Sequence, residues 1–383
     1  MRQRRKILFV VESLSGGGAE RVLLNLIKNI DHERFDVSVC PIVDTGVHSA
    51  EIRKYASVRS ILPAFPAEKG LVSRLIWKLR HRLVHKWLPG HLVWCFFMPC
   101  DYDVEIAFVE GLTTKLVAAS YTRARKFAWL HTDFAIHHWT ASIFKDTRSE
   151  AETYRRFNCT ICVSQTVEQS FRNLFGTGLK SLVLHNPINA DEIRLASKGR
   201  YPVQPRISDV VRLVSVGRLE PQKNFLKLLK AMKRLRDNGV RCELWLLGEG
   251  SQRAMLTKYI FENDLNDSVT MWGFMDNPYP LMASADLFVC SSVAEGYSTS
   301  VTEAQILGLP VLTTPCAGMD EILEEDGRYG IICGEDDESF YSALLNLIID
   351  TERLEQLKEN VSKRSEHFNI RRLMEPIENL LAQ

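Results

Sequence analysis

The sequence lacks any hydrophobic run long enough to cross a membrane. No window of its 383 residues approaches the roughly 18 uninterrupted apolar residues that a spanning helix needs. Its basic start imitates a secretory signal peptide, but the apolar run covers only Ile7 to Val11 and no small-residue cleavage site follows. These absences predict a cytoplasmic protein without a transmembrane segment.

Cysteine shows no pattern typical of disulfide scaffolds or zinc sites. The nine cysteines lie mostly in apolar runs, which favours buried, reduced thiols. Cys159 and Cys162 form a C-x2-C pair, yet no second pair or nearby histidine has zinc spacing. Because their segment has the pattern of a buried strand, a structural role is favoured over metal or redox chemistry.

The whole chain is nearly neutral, but each half carries a large net charge of opposite sign. The 48 Lys and Arg residues nearly equal the 47 Asp and Glu residues. Residues 1–190 carry 26 basic and 17 acidic side chains, a balance of +9, whereas residues 191–383 carry 22 and 30, a balance of −8. No nucleic-acid motif accompanies the basic half, so we predict two domains with different partners and no nucleic acid.

Short apolar runs alternate with helix-length segments, which is typical of parallel sheets covered on both faces. The runs are 6–11, 35–43, 103–109, 126–130, 158–163 and 181–185, then 211–217, 241–248, 268–273, 286–291, 310–314 and 330–333. The segment 186–209, with three prolines, predicts a connection between domains. The predicted fold class is α/β, with two tandem doubly wound, Rossmann-like domains whose ligand sites lie at the carboxyl ends of the strands.

Two common phosphate-binding glycine patterns are missing. The dinucleotide fingerprint G-x-G-x-x-G fails at Arg21, which argues against an oxidoreductase, and no G-x4-G-K-[ST] occurs. A different glycine run, Ser15 to Glu20, lies between the first predicted strand and helix. It predicts either a close backbone approach to an anion at the helix N-terminus or a tight turn alone.

Two further segments carry candidate chemistry in the second half. Arg218 and Lys223 follow its first strand and suit a diphosphate, unless they are merely solvated at a helix start. Glu295 and Glu303 are carboxylates able to accept hydrogen bonds from paired sugar hydroxyls, unless they are ordinary helix residues. Between them, Ser298, Thr299 and Ser300 are predicted to cap a helix and direct its N–H groups at phosphate.

These segments resemble the motifs of one enzyme family. SGGGAE at 15–20, GRLEPQKN at 217–224 and EGYSTSVTEAQILGLPV at 295–311 resemble the retaining family 4 glycosyltransferases of GT-B fold, above all bacterial members that build surface polysaccharides. The motifs occur in the family's order over essentially the whole chain. The resemblance implies an acceptor domain at 1–190, a donor domain at 191–365 facing it across a cleft, and a helix at 366–383 packing back on the first domain.

The resemblance also implies roles for individual residues in the second domain. Glu303 would bind the donor ribose, and Glu295 the transferred sugar. Arg218 and Lys223 would hold the diphosphate and neutralise its charge as the glycosidic bond breaks. Gly273 and Phe274 fall where the family's base-contacting loop lies.

In the first domain, the resemblance implies that Gly17 and Gly18 approach the diphosphate and that His131 is the active-site histidine near the donor sugar. It further implies metal-independent transfer with retention, in which the leaving diphosphate assists the acceptor hydroxyl, so no cofactor is expected. We predict a UDP-linked hexose or N-acetylhexosamine donor and a lipid-linked or growing polysaccharide acceptor. A non-catalytic partner subunit of a glycan-assembly complex is the alternative. Gly-Tyr-Ser after Glu295, where many members have Gly-Phe, leaves the sugar open.

A basic amphipathic segment interrupts the first half. Between residues 71 and 88, apolar residues follow helical spacing opposite a basic face, which predicts either binding to a membrane surface or a core-packed helix with a solvated face. The resemblance favours the anionic inner face of the cell membrane, with the enzyme peripheral on it. The predicted membrane-surface residues are Arg74, Lys78, Arg80, Arg82 and Lys86.

Overall fold

The computed structural model describes residues 4–68, 70–98, 101–199, 210–324 and 327–383, without the side chains of Lys86, Ser365 and Glu366. It divides into two compact units. The first comprises residues 1–188 and 370–383, and the second comprises residues 189–369. The sequence predicts the corresponding domain boundaries after residues 190 and 365.

The first unit is built on a seven-stranded parallel sheet. Its strands are β1 (Arg5–Val11), β2 (Phe35–Pro41), β3 (Ser57–Val58), β4 (Val104–Ala107), β5 (Arg125–Leu130), β6 (Cys159–Cys162) and β7 (Ser181–Val183). They lie in the order β3-β2-β1-β4-β5-β6-β7. Six of them match the predicted runs. The two-residue edge strand β3 was missed because it is too short to leave a pattern.

Helices cover this sheet. They are α1 (Gly18–Asn29), α2 (Ser49–Ile52), α3 (Leu71–Arg82), α4 (Gly90–Phe97), α5 (Leu112–Ala118), α6 (Thr147–Tyr154) and α7 (Gln165–Phe175). A π-helical turn at Leu83–Trp87 extends α3, and a 3₁₀ turn spans Trp139–Ser142. Aromatic side chains fill the centre, with Phe108 lying 5.6 Å from Phe9 and 4.8 Å from Trp129 between ring centroids.

The second unit repeats the plan with a six-stranded parallel sheet. Its strands are β8 (Val211–Val216), β9 (Cys242–Leu247), β10 (Val269–Gly273), β11 (Leu287–Cys290), β12 (Val311–Thr313) and β13 (Gly330–Ile332), in the order β10-β9-β8-β11-β12-β13. All six match the predicted runs. The fold class, two parallel doubly wound α/β sheets, is therefore confirmed.

The helices of this unit lie on both faces of the sheet in the doubly wound plan. They are α8 (Ala190–Ala196), α9 (Phe225–Asp237), α10 (Arg253–Glu262), α11 (Tyr279–Ala283), α12 (Thr299–Ile306), α13 (Met319–Leu323), α14 (Asp337–Ile349) and α15 (Thr351–Lys363). Short 3₁₀ turns span Pro221–Lys223 and Ser365–Phe368. Leucines of α9 and α14 belong, together with Phe340, to one buried hydrophobic core.

Two segments lie outside the simple succession of the two sheets: the connection between them and the last helix. Part of the predicted connection 186–209 forms α8. Asn189 caps this helix, and its side chain accepts a hydrogen bond from the Glu192 N–H at 3.2 Å. Residues 200–209 lie outside the described part of the chain. The last helix, α16 (Ile370–Ala382), belongs to the first unit, where Glu378 accepts a hydrogen bond from the Asp31 N–H at 2.9 Å and pairs with Arg34 at 3.1 Å.

A buried carboxyl on β4 makes stability depend on pH. Glu105 is fully buried, and one oxygen accepts a hydrogen bond from Thr122 Oγ1 at 2.6 Å. Burial raises its pKa above the ordinary value of 4.5, against the hydrogen bonds from Thr122 and Ser120 and the charge of Lys126. The folded state therefore holds the proton more tightly than the unfolded chain, and stability is lost as pH rises from 4.5 through the folded pKa.

We expect Glu105→Gln to flatten this dependence. As pH rises from about 5 to about 8, the wild type should lose stability that the variant retains. The check is the midpoint of urea unfolding at the two pH values, with Glu152→Gln, an exposed residue of α6, as the control. Equal slopes for wild type and Glu105→Gln would contradict the assignment.

Candidate functional site

The strand order of the second unit reverses at β8 and β11, and the loops after these strands meet there. Lys223, at the end of the 3₁₀ turn after β8, lies with its Nζ 2.6 Å from Oε1 of Glu295. Glu295 follows β11, and the same oxygen accepts a hydrogen bond from Ser292 Oγ at 2.6 Å. Their side chains are 20% and 10% exposed, so the switch point holds a largely buried ion pair.

The charge of Lys223 is secured by its partner. Burial acts to lower the pKa of the ammonium group, but the charge of Glu295 and the hydrogen bond to it outweigh burial and raise this pKa above 10.5. Burial also raises the pKa of the Cys290 thiol beside this pair. Lys223 is therefore a fixed cation at the strand ends.

Hydrogen bonds between the two loops hold this pair in place. Gln222 donates from Nε2 to the Ala294 carbonyl at 2.6 Å, and its own carbonyl accepts from the Val293 N–H at 2.9 Å. Ser291 Oγ donates to the Lys223 carbonyl at 3.0 Å. The sequence did not single out Gln222 or Ser291, because no motif marks a contact made across about 70 residues of chain. Ser292 was also missed, although its partner Glu295 is only three residues away.

A second cation lies beside the pair. Arg218 is exposed, and within the described part of the chain its guanidinium makes no hydrogen bond or ion pair. Its positive charge opposes the rise in the pKa of Lys223 that Glu295 causes. An exposed guanidinium next to a fixed ammonium is an arrangement suited to a phosphate group.

The helix α12 carries the second carboxylate. Ser298 caps it, accepting a hydrogen bond from the Val301 N–H at 3.4 Å, so the predicted capping role of Ser298 is confirmed. Thr299 and Ser300 occupy its first turn, and Ser300 lines a small recess together with Lys223. Glu303 is only 8% exposed and accepts a hydrogen bond from the Tyr279 hydroxyl at 3.0 Å, so it is not an ordinary surface helix residue.

Glycines allow the loops after β9 and β10 to lie close to neighbouring backbone or side chains. Gly273 ends β10 and is buried, whereas the following Phe274 is 55% exposed. Gly248, after β9, has a φ of +143° and passes so close to Gly217 that a Cβ would fall 1.9 Å from its carbonyl oxygen. Glu249 pairs with Arg253 at 2.5 Å next to Gly273. The sequence reasoning missed this Gly-Glu-Gly loop, although its position after a strand was a usable signal.

In the first unit, the glycine-rich loop leads from β1 into α1. Gly17 is the N-cap residue and Gly18 the first helical residue, and no side chain caps them. The Glu20 carboxylate lies against Gly17, where a Cβ would fall 2.2 Å from Oε2. The helix N-terminus therefore already has one negative charge beside it, which an incoming anion would have to displace or tolerate.

His131 directly follows β5, at the carboxyl edge of the same sheet. Its backbone N–H donates to Oε2 of the buried Glu110 at 3.1 Å, and Glu110 also accepts from Trp139 Nε1 at 3.3 Å. The ring lies against Phe108 with centroids 5.1 Å apart. Burial lowers the pKa of His131, although the charge of Glu110 and a hydrogen bond to the Phe108 carbonyl oppose it. Its Nε2 is buried and has no hydrogen-bond partner among the described residues.

The basic segment is exposed along α3, whereas Val84 in the π-helical turn that follows is buried. No residue of α3 is buried, so the core-packed alternative is wrong for this helix. Arg74, Lys78, Arg80 and Arg82 are exposed as predicted, whereas the side chain of Lys86 lies outside the described residues. Five apolar residues of α3 are between 49% and 81% exposed: Leu71, Val72, Leu75, Ile76 and Leu79. Among the described residues no helix is long and apolar enough to cross a membrane.

Comparison with known proteins agrees with this geometry. The family model Glycosyltransferase Family 4 matches residues 16–192, and the model Glycosyl transferases group 1 matches residues 211–350. The crystal structure of Anabaena Alr3699/HepE in complex with UDP and glucose superposes with a TM-score of 0.76 at 21% identity, covering 99% of this chain and all of that one. WaaG, a glycosyltransferase involved in lipopolysaccharide biosynthesis, gives 0.63 at 15% identity, covering 98% and 99%.

Curated relatives match over part of their length. The Campylobacter jejuni N-acetylgalactosamine-N,N'-diacetylbacillosaminyl-diphospho-undecaprenol 4-alpha-N-acetylgalactosaminyltransferase is 27% identical over 51% of this chain and 52% of its own length. The Rhizobium meliloti lipopolysaccharide core biosynthesis glycosyltransferase LpsE is 27% identical over 54% and 58%. The chain thus aligns with little more than half the length of these relatives. With the two family models spanning most of its sequence, the chain belongs to the family 4 glycosyltransferases and has the GT-B fold.

Proposed function

We propose that the chain is a retaining, metal-independent glycosyltransferase that acts in bacterial surface glycan synthesis. It transfers a hexosyl or N-acetylhexosaminyl unit from a UDP-linked donor to a lipid-linked or growing polysaccharide acceptor. The Lys223–Glu295 pair at the switch point carries the proposal, because a fixed cation beside a carboxylate suits a sugar diphosphate. A non-catalytic partner subunit would have no need to retain this pair together with an exposed Arg218.

The donor is held by the second unit in this proposal. Lys223 and Arg218 bind the diphosphate and offset the charge that develops on it when the glycosidic bond breaks, which removes the need for a divalent cation. Glu295 accepts hydrogen bonds from the transferred sugar. Ser298 and Thr299 present the N-terminus of α12 to phosphate, whose negative charge that helix end favours.

The nucleoside is recognised by two separate groups. Glu303 is oriented by Tyr279 and accepts hydrogen bonds from the ribose hydroxyls. Gly273 and Phe274 contact the base, and the exposed ring of Phe274 is available for stacking on it. The proposal of UDP is supported by the similar Anabaena structures, which are described in complex with UDP and with UDP-glucose.

The first unit supplies the acceptor site and two donor contacts. Gly17 and Gly18 approach the diphosphate with their backbone, and His131 hydrogen-bonds the transferred sugar through the unpartnered Nε2. Because the other ring nitrogen is hydrogen-bonded to the Phe108 carbonyl, a neutral His131 accepts through Nε2 from a sugar hydroxyl.

The chemical step needs no protein nucleophile. The bond between the anomeric carbon and the diphosphate oxygen breaks, and the acceptor oxygen bonds to the anomeric carbon on the same face. The acceptor proton passes to the departing diphosphate. Catalysis then consists of positioning and electrostatic stabilisation of the leaving group.

A donor panel tests the proposal. UDP- and GDP-linked glucose, galactose and their N-acetyl forms are incubated with the protein, with and without a lipid-linked monosaccharide acceptor, and nucleotide release is measured. The proposal requires acceptor-dependent release of UDP from at least one donor, with an α-linked product from an α-linked donor. Release from no donor would favour the non-catalytic alternative, and an inverted product would exclude retention.

We also propose that α3 places the enzyme on the anionic inner face of the cell membrane. Exposed arginines and lysines beside exposed leucines are the composition of an interfacial helix, and each basic residue near an anionic surface contributes on the order of 1 kcal/mol. The protein is therefore expected to sediment with anionic vesicles, to be released by salt, and to ignore zwitterionic vesicles.

Neutralising the basic face should weaken this binding by about a thousandfold. The variant carries glutamine in place of Arg74, Lys78, Arg80 and Arg82. The matched control carries glutamine at four other exposed basic positions of the first unit: Lys145, Arg148, Arg155 and Arg156. Equal sedimentation of the two variants would leave α3 without a role in membrane binding.

A further inference from the structure

A histidine in the π-helical turn after α3 joins this helix to the end of β1. Nε2 of His85 lies 3.0 Å from Oε1 of Glu12, the residue that directly follows β1. Nδ1 of the same ring lies 3.0 Å from the His81 carbonyl. Both oxygens accept hydrogen bonds, so the arrangement is fully satisfied when each ring nitrogen carries a proton and donates.

Aromatic rings extend this contact along α3. The His81 ring stacks on His85 with centroids 3.7 Å apart and an angle of 13°, and Trp77 stacks on His81 at 4.9 Å. Burial, together with the positive charge of His85, lowers the pKa of His81. Trp77 is itself fixed, because its Nε1 donates to the Pro63 carbonyl at 2.8 Å. The three rings form a column that ends at Glu12.

Glu12 lies at the base of the glycine-rich loop. Its carbonyl accepts a hydrogen bond from the Val43 N–H at 3.0 Å, and the Leu14 N–H donates to the Thr45 carbonyl at 2.8 Å. These bonds fix the loop to the neighbouring strand connection. Beyond fully buried Leu14, the loop rises to exposed Gly16. The Glu12 side chain therefore connects the base of the loop to α3.

We propose that Glu12 and His85 are positioning residues for the glycine-rich loop and couple it to the basic helix α3. The hydrogen bond between them holds the base of the loop so that Gly17 and Gly18 keep one backbone arrangement. Any displacement of α3 then reaches the loop through the ring column. The consequence for catalysis rests on the proposed function, whereas the mechanical coupling does not.

The test compares E12Q, H85Q and the double variant with the wild type. Amide hydrogen exchange of residues 15–18 measures the coupling without any need for activity. Each single variant should speed this exchange by about threefold, the size expected of one partly exposed hydrogen bond. The double variant should be no faster than the single ones, because both remove the same contact.

Kinetics supply the second readout. We expect about a threefold higher KM for the nucleotide sugar in each variant with kcat changed by less than about twofold. E168Q is the matched control, because it removes a similarly half-exposed pair with Arg172 on α7. Unchanged exchange in both single variants, or additive effects in the double variant, would overturn the proposal. A wild type inactive on all donors would contradict the proposed function and leave the exchange result to decide the coupling.

Discussion

Replacing Lys223 with methionine is expected to lower the rate of sugar transfer by at least about a hundredfold while the protein remains folded. The ammonium group is largely buried at the switch point, 2.6 Å from Glu295, and its charge cannot be supplied by solvent. A leaving diphosphate would then develop charge against one cation, Arg218, instead of two. The measurement is acceptor-dependent nucleotide release under saturating donor.

Two variants separate this effect from a loss of stability. Lys227→Met removes another buried lysine of the same unit, which lies on α9 and pairs with Asp337 of α14 at 3.3 Å. This variant should transfer sugar at close to the normal rate. Lys223→Met combined with Glu295→Gln removes the carboxylate left without its partner, so it should regain stability but no activity. Near-normal transfer by the Lys223 variant would refute the assigned role.

Replacing Glu303 with glutamine is expected to raise the KM for the donor by about ten- to a hundredfold, with a smaller change in kcat. The carboxylate is buried and oriented by the Tyr279 hydroxyl, so in the proposed donor complex it would offer strong acceptors to the two ribose hydroxyls. An amide of the same shape has one acceptor fewer and adds donors. Steady-state kinetics over a range of donor concentrations separate KM from kcat.

Tyr279→Phe provides the milder comparison. It leaves Glu303 in place but removes the 3.0 Å hydrogen bond that orients it, so a KM rise of a few-fold is expected. The 2′-deoxy donor gives an independent check. Wild type should prefer the ribose form, and Glu303→Gln should lose most of that preference. A preference that persists undiminished in the variant would place ribose recognition elsewhere.

The positions of the strands were predictable because each strand is a continuous apolar run in a covered parallel sheet. The positions of Lys223, Glu295 and Glu303 followed from motifs tied to strand ends, where the switch-point rule brings loops together. The edge strand β3 and helix α8 left too little pattern, the first because it has two residues and the second because prolines flank it.

The contacts that support the site were not predictable from the sequence. Some of these contacts join residues distant in sequence, and others depend on a single hydroxyl, as for Gln222, Ser292 and Tyr279. The sequence does not indicate which partner a polar loop residue will bind. The amphipathic pattern of α3 likewise showed which residues share a face but not what covers it. Its exposure had to come from the structure.

The central claim is that the second unit recognises a nucleoside diphosphate through Lys223, and calorimetric titration with UDP, UMP and uridine tests it most directly. UDP should bind more tightly than uridine by at least about tenfold for each charge-assisted phosphate contact, following the 1.5–3 kcal/mol typical of hydrogen bonds to charged groups. Lys223→Met should lose most of this difference and keep its affinity for uridine. Equal affinity of the wild type for UDP and uridine, or a difference unchanged in Lys223→Met, would contradict the account.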